Sequence, residues 1–126
     1  MVSRLRILVI AALAAALAPL AVEAHAFLDK ADPRVGSMVA RAPPAVRLKF
    51  TQGIVVPFCR LTVTGPPGFG GAGAPHAIAG DPLSLAVDLK GPTPPGTYVV
   101  RWRALSVDTH VTEGDFSFQV KPQVSQ

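Results

Sequence analysis

Short runs of alternating apolar and polar residues, separated by proline and glycine, restrict the fold of this chain more than any other feature of its sequence. The run "VRLKF" places Val46, Leu48 and Phe50 on one side and two cations on the other. This alternation has the period of a half-buried strand. The 126 residues include 13 prolines and 11 glycines, and past residue 24 no stretch repeats apolar residues at helical spacing for three turns. We therefore expect an all-β fold.

The alternating runs predict about seven short strands. The clear ones lie at 46–50, 58–63, 83–89, 97–106 and 114–120, and weaker ones lie near 26–28 and 76–78. About seven strands in about 100 residues are typical of a small two-sheet sandwich of immunoglobulin-like or cupredoxin-like shape. The Cys…Trp…Cys pattern of immunoglobulin domains is missing, so we expect the core to close on Trp102, the phenylalanines and aliphatic side chains.

The first 24 residues have the pattern of a secretory signal peptide. Two arginines precede an apolar run from Leu8 to Leu17, and the stretch closes on Val22-Glu23-Ala24. Pro19 and Glu23 keep the apolar run shorter than the about 20 residues that span a bilayer, which disfavours an uncleaved anchor. We therefore expect a signal peptide at 1–24, one domain at 25–120 and a short, frayed tail at 121–126.

Charge and cysteine content narrow the classes of partner. The formal net charge is +4, but no run of basic residues concentrates it, so we expect no nucleic acid partner. The single cysteine, Cys59, can form no intramolecular disulfide. It is in phase with Leu61 and Val63, which predicts a buried apolar role rather than a reactive thiol or a metal ligand. We expect the chain to be a monomer.

The glycine-rich stretch at 65–81 is predicted to be a long flexible loop. It contains Gly68-x-Gly70-x-x-Gly73, which matches the dinucleotide-binding fingerprint in letters only. That motif needs a helix after it, whereas Pro75 and Pro82 follow here. His76 has no partner at metal-ligand spacing, so we interpret it as a solvated loop histidine rather than an auxiliary ligand.

Three residues have the chemistry of a metal site. Cleavage after residue 24 makes His25 the first residue, with a free amine and a ring Nδ1 that can chelate one ion. Asp108 and His110 are two apart in an extended segment, so their side chains project to one side. Nitrogen and oxygen donors in a square-planar set favour Cu(II) first and Ni(II) second.

Two alternatives compete with this interpretation. Zinc accepts similar donors but prefers a tetrahedral site, and a catalytic zinc more usually has three histidines or two histidines and a glutamate. Taken without His25, the Asp108-Thr109-His110 segment is typical of an ordinary hydrogen-bonded turn.

Three stretches of the chain resemble the CopC family of periplasmic copper-binding, copper-resistance proteins. They are "HAFLDKADPRVGSMV", "PPAVRLKFTQGIV" and "PPGTYVVRWRALSVDTHVTEGDFSFQV". The resemblance implies a periplasmic β-sandwich that binds one Cu(II) per chain through a histidine brace. By position, the ligands are His25, with its amine and ring, Asp108 and His110. The resemblance also implies copper exchange with a CopD-type inner-membrane protein.

The sequence departs from the family in two places. Some members hold a Cu(I) site of methionines in the long central loop, but residues 65–81 contain no methionine, and Met38 is the only one after residue 24. Because Cu(I) prefers thioether ligands, we expect no Cu(I) site. Some members also have an acidic residue shortly after the position of Phe50, where this chain has Gln52.

These observations favour a non-catalytic protein that sequesters or carries Cu(II) for copper resistance and homeostasis. One alternative is a copper monooxygenase that uses a histidine brace, but Asp108 would occupy a coordination position that oxidative chemistry needs open. The other alternative is a metal-free β-sandwich adhesion module, in which His25 and His110 have no joint role.

Overall fold

The computed structural model describes residues 26–123 as eight strands and one short 3-10 helix, Val56–Phe58. The strands are β1 (Leu28–Asp32), β2 (Met38–Val39), β3 (Ala45–Phe50), β4 (Arg60–Thr64), β5 (His76–Ile78), β6 (Asp81–Asp88), β7 (Gly96–Leu105) and β8 (Val111–Val120). The predicted signal peptide, His25 and residues 124–126 lie outside the described residues. Within 26–123, no helix is long and apolar enough to cross a membrane.

The strands form two four-stranded sheets, which confirms the predicted all-β sandwich. The first sheet has the order β1-β3-β6-β5, and the second has the order β2-β8-β7-β4. All pairings are antiparallel except that of β2 with β8. The longest pairing joins β7 and β8, in register from Gly96 opposite Val120 to Leu105 opposite Val111.

The core lies between the sheets and follows the alternation of the sequence. On β7, Tyr98, Val100, Trp102 and Ala104 are buried, while the residues between them face outward or are half-buried. The Trp102 ring meets Phe50 of the opposite sheet edge-to-face at 5.2 Å between ring centroids. This contact joins the two sheets directly, as the expected core closure on Trp102 requires.

A glycine makes room for the tryptophan. Gly114 lies opposite Trp102 in the β7–β8 register, and a Cβ added to it would come within 2.6 Å of the indole ring. No real Cβ contact is that short, so a larger residue at 114 would displace Trp102 from the core.

Each of the seven predicted strands has a counterpart, but the one expected near 26–28 covers Leu28–Asp32 instead, and β2 was not predicted. It has two residues, too few for alternation to show in the sequence, and it is held by main-chain bonds to β8. The Gly36 amide donates to the Ser117 carbonyl at 2.7 Å, and the Gln119 amide donates to the Ser37 carbonyl at 2.8 Å. The predicted strand at 58–63 starts later than expected, at Arg60, because the 3-10 helix precedes it.

The glycine-rich loop after β4 is tied to the segment that follows β6. The amide of Gly70 donates to the Pro92 carbonyl at 2.8 Å, and the amide of Lys90 donates to the Gly71 carbonyl at 2.8 Å. A Cβ at Gly70 would lie 2.0 Å from the carbonyl oxygen of Lys90. The prediction of a loop without a following helix is confirmed, but these bonds hold the loop where a flexible one was expected.

The single cysteine and the start of the tail are also placed. Cys59 is buried with 7% exposure, as predicted, and burial raises the pKa of its thiol. Its Sγ donates to the Val55 carbonyl at 3.4 Å. In the tail, which was expected to be frayed, the Lys121 amide donates to the Val39 carbonyl at 2.8 Å, and Gln123 Nε2 donates to the Ala40 carbonyl at 3.2 Å.

Candidate metal centre

The loop of residues 106–110 joins β7 to β8 at one end of the sandwich. It closes through two main-chain bonds: the Ser106 amide donates to the His110 carbonyl at 2.9 Å, and the Thr109 amide donates to the Ser106 carbonyl at 3.0 Å. Thr109 has a φ of 73°, in the left-handed region that β-branched residues rarely adopt. The loop is therefore a tight turn that holds the side chains on either side of Thr109.

The Asp108 carboxylate is held by two donors. Its Oδ1 accepts hydrogen bonds from the Ser106 hydroxyl and, at 3.1 Å, from the His110 amide. Ser106 is only 1% exposed, and the Asp108 side chain is 26% exposed. These contacts fix one carboxylate oxygen and leave the other, Oδ2, directed to the imidazole of His110.

Asp108 and His110 form the pair that the sequence predicted. His110 Nδ1 lies 3.4 Å from Asp108 Oδ2, and the His110 side chain is 60% exposed. Two donors that share a divalent transition-metal ion at about 2 Å each are at most about 4 Å apart. The spacing fits a shared ion, and the hydrogen-bonded turn weighed as an alternative is at the same time the frame that holds the pair.

The start of the described chain lies beside this loop. Ala26 is fully buried, and its carbonyl accepts a hydrogen bond from Thr112 Oγ1 at 2.5 Å. The next residue, Phe27, exchanges two bonds with Thr51: its amide donates to Thr51 Oγ1 at 3.0 Å, and its carbonyl accepts from the Thr51 amide at 2.8 Å. We call Ala26 and Phe27 the N-terminal tie, because they bond to both sheets.

The N-terminal tie places Ala26, the residue after His25, at the same end of the sandwich as Asp108 and His110. Thr112 is two residues after His110, so the carbonyl that it holds belongs to the same end of the sandwich as the 106–110 loop. Consecutive Cα atoms are about 3.8 Å apart, so the chain enters the described structure next to that loop. His25 itself lies outside the described residues.

His76 is elsewhere. It is exposed, as predicted, but it lies on a strand rather than in a loop. It lies on β5, where its Nε2 is 3.1 Å from Asp88 Oδ1 and its Nδ1 is 3.0 Å from the Ala77 carbonyl. These two hydrogen bonds, that to Ala77 first, raise the pKa of His76. Antiparallel pairing of β5 with β6 brings His76 and Asp88 together, which spacing along the chain does not reveal.

Sequence reasoning missed the residues that position the pair. Ser106 belongs to the Ser-x-Asp-x-His stretch, which was the available signal for a hydroxyl next to the carboxylate. Thr112 and Thr51 gave no signal, because each bonds to a segment far away in the chain. Within residues 26–123, no group of three or more His, Cys, Asp or Glu side chains is arranged to hold a metal ion.

Comparison with known proteins agrees with this architecture. The CopC domain family matches residues 28–121. Copper resistance protein C of Escherichia coli is 38% identical over 105 residues, which cover 78% of this chain and 82% of that protein. Copper resistance protein C of Pseudomonas syringae pv. tomato is 36% identical over 107 residues, which cover 79% and 82% of the two chains.

Solved structures show the same fold. CopC from Methylosinus trichosporium OB3b superposes with a TM-score of 0.71 at 30% identity, covering 81% of this chain and 99% of that one. PcoC, described as a methionine-rich copper resistance protein from Escherichia coli, superposes with a TM-score of 0.66 at 35% identity, covering 78% and 100%. The sandwich and its sequence thus define a copper-resistance type of β domain. The chain belongs to the CopC family.

Proposed function

We propose that this chain is a periplasmic Cu(II)-binding protein that sequesters or transfers copper, with one Cu(II) per chain. Its ligands are the amine and ring of His25, the carboxylate of Asp108 and the imidazole of His110. The observation that supports this most is the placement of Asp108 and His110, 3.4 Å apart, beside the Thr112–Ala26 hydrogen bond. That bond holds the residue to which His25 is covalently joined.

The donor set matches Cu(II) rather than Cu(I). An amine, two imidazoles and a carboxylate are the nitrogen and oxygen donors of tetragonal Cu(II) sites, whereas Cu(I) selects thioethers and thiolates. The chain has two methionines in total, and Met38 is on β2, which pairs with the far end of β8. Cys59 is buried and bonded to the Val55 carbonyl. In its low methionine content the protein differs from PcoC, which is described as methionine-rich.

The role that follows is carriage without catalysis. Four donors from the protein leave little coordination space for a substrate, which argues against a monooxygenase. In this proposal residues 1–24 are a cleaved signal peptide, residues 25–120 are the copper-binding domain and residues 121–126 are a tail. The mature protein is a monomer that exchanges copper with a CopD-type inner-membrane protein.

Native mass spectrometry of protein recovered from the periplasm tests the proposal. We expect the mass of a chain that begins at His25. This chain should gain one copper ion after one equivalent of Cu(II) is added at neutral pH. Asp108→Asn and His110→Gln should each lower the copper-bound fraction under competition with a chelator. His76→Gln is the matched control, because it also alters an exposed histidine paired with an aspartate, away from the loop.

Two results would contradict the proposal. If the mature chain begins at another residue, His25 has no free amine, and the histidine brace cannot form. Equal copper uptake by the wild type, Asp108→Asn and His110→Gln would show that the 106–110 loop does not bind the ion.

A further inference from the structure

The outer face of the second sheet carries three arginines close together. Arg60 on β4 lies directly opposite Arg103 on β7, and Arg101 is two residues away on the same side of β7. All three side chains are exposed. Arg101 and Arg103 each lie opposite a carboxylate of β8, but Arg60 lies opposite Arg103. Like charges in that position destabilise a sheet, so strand pairing does not account for Arg60. We call these three residues the arginine face.

The neighbouring carboxylates only partly balance the arginine face. Glu113 and Asp115 on β8 lie opposite Arg103 and Arg101, and Arg103 Nε is 3.4 Å from Glu113 Oε1. Neither Arg60 nor Arg101 makes an ion pair within 4.0 Å with another residue of 26–123. The face therefore has a positive half over β4 and β7 and a negative half over β8.

The arginine face borders the 106–110 loop. Arg103 is three residues before the loop, and Arg60 follows the 3-10 helix, whose preceding residue Val55 donates to the Leu105 carbonyl at 2.9 Å. Phe58 and Val107, on these two segments, are 66% and 65% exposed.

We propose that the arginine face binds an extended acidic segment of a partner protein, which then lies next to the 106–110 loop. Guanidinium groups recognise carboxylates in bidentate geometry. Among the described strands β4 pairs only with β7, so its other edge is available to an added strand. Glu113 and Asp115 would repel an anionic membrane, which covers the whole face, whereas an extended segment is narrow enough to lie over β4 and β7 alone. As a route for copper exchange this inference rests on the proposed function.

Fluorescence anisotropy with a labelled peptide in which glutamate alternates with valine tests the inference on protein expressed from the full chain. We expect binding at low ionic strength that the triple variant Arg60→Gln, Arg101→Gln, Arg103→Gln weakens by about tenfold. The matched control is Arg47→Gln with Lys49→Gln, two exposed or half-exposed cations on β3 of the first sheet. It should change the affinity by less than about twofold.

Three results overturn the inference. One is equal loss of peptide binding in the triple and control variants, which indicates non-specific charge attraction. Another is unchanged peptide affinity with new aggregation of the triple variant, because charged edge residues also serve to prevent strand pairing between molecules. The third is arginine-dependent binding to phosphatidylglycerol vesicles without peptide binding, which indicates a membrane surface. Copper uptake is measured on the same apo samples by native mass spectrometry. Loss of peptide binding with normal copper uptake then shows that docking fails while the proposed metal site remains intact.

Discussion

Ser106 is not a ligand of the proposed metal site, but it orients one of the proposed ligands. Its hydroxyl is buried and donates to Asp108 Oδ1, which also accepts from the His110 amide. Partners of this kind orient a ligand before the metal arrives and are worth about 10- to 100-fold in metal affinity. The serine thus helps the His110 amide to set the direction of the Asp108 carboxylate.

Replacing Ser106 distinguishes its effect on the orientation of the Asp108 carboxylate from its effect on the stability of the fold. We expect Ser106→Ala to lower Cu(II) affinity by about tenfold or more in a chelator competition. Ser84→Ala is the matched control, because Ser84 is also buried and donates to an aspartate, Asp81 Oδ2, at 2.6 Å. Both variants should lose about 1 kcal/mol of unfolding free energy in denaturant melts. Equal affinities for Ser106→Ala and Ser84→Ala would contradict the role assigned to Ser106.

At the residue scale, the sequence predicts groups that are close in the chain and misses those that are not. Asp108 and His110 could be paired because they are near in the chain, but the expected reason, an extended segment, was wrong. A tight turn at Thr109, with a φ of 73°, brings the two side chains together. The bond from Thr112 to Ala26 spans 86 positions, and the pair of His76 with Asp88 depends on the register of two strands. Neither has a local signature.

Among the elements, the β7–β8 hairpin carries the site. Ten consecutive pairs hold the two strands in register without a bulge, so the 106–110 loop sits on a rigid base. The loop is short enough that Thr109 takes a φ of 73°. A residue held in the left-handed region costs about 1–3 kcal/mol unless it suits that conformation.

Relieving this conformation should stabilise the protein. Asparagine tolerates the left-handed region far better than threonine, so we expect Thr109→Asn to raise the free energy of unfolding by about 1 kcal/mol. In a domain of this size that is a rise in Tm of about 4–8 °C, measured without metal. Thr109→Val keeps the β-branch and should give no rise. A Tm of Thr109→Asn at or below that of the wild type would show that the turn is not strained.

At the element scale, prediction succeeded where burial is periodic. β3, β7 and β8 show alternation in the sequence, since one face of each meets the core. β6 also alternates in the sequence, but its four residues from Ser84 to Val87 are all buried. β2 and the 3-10 helix are short and depend on tertiary main-chain bonds, so no period marks them. The glycine-rich loop looked flexible because its composition does not reveal the close approach of Gly70 to Lys90.

For the whole molecule, copper binding and folding are expected to be linked. The proposed ligands come from the chain start and from the β7–β8 hairpin, and the N-terminal tie bonds to Thr51 beyond β3 and to Thr112 on β8. An ion bound across these segments binds the folded state alone. Saturation at about 100 times the dissociation constant then adds about 2.7 kcal/mol of stability.

A thermal melt with and without Cu(II) measures this linkage. We expect Cu(II) to raise Tm by roughly 10–20 °C at neutral pH. Protons compete with copper for amines and imidazoles, whose ordinary pKa values are about 7.7–8 and about 6.5. The rise in Tm should therefore shrink as the pH falls through that range. His110→Gln should abolish most of the rise and His76→Gln should keep it; a rise of the same size in both would contradict the proposed site.

The burial of Ala26 also bears on the order of events during maturation. A peptidase that cuts after residue 24 needs its substrate extended and accessible, and proteolysis favours exposed chain ends. In the folded structure Ala26 has no exposed surface, and its carbonyl is bonded to Thr112. If residues 1–24 are a cleaved signal peptide, as proposed, cleavage precedes the packing of Ala26 against the sandwich, because folding buries the second residue after the cut. Export, cleavage, folding and metal loading would then follow one another in that order.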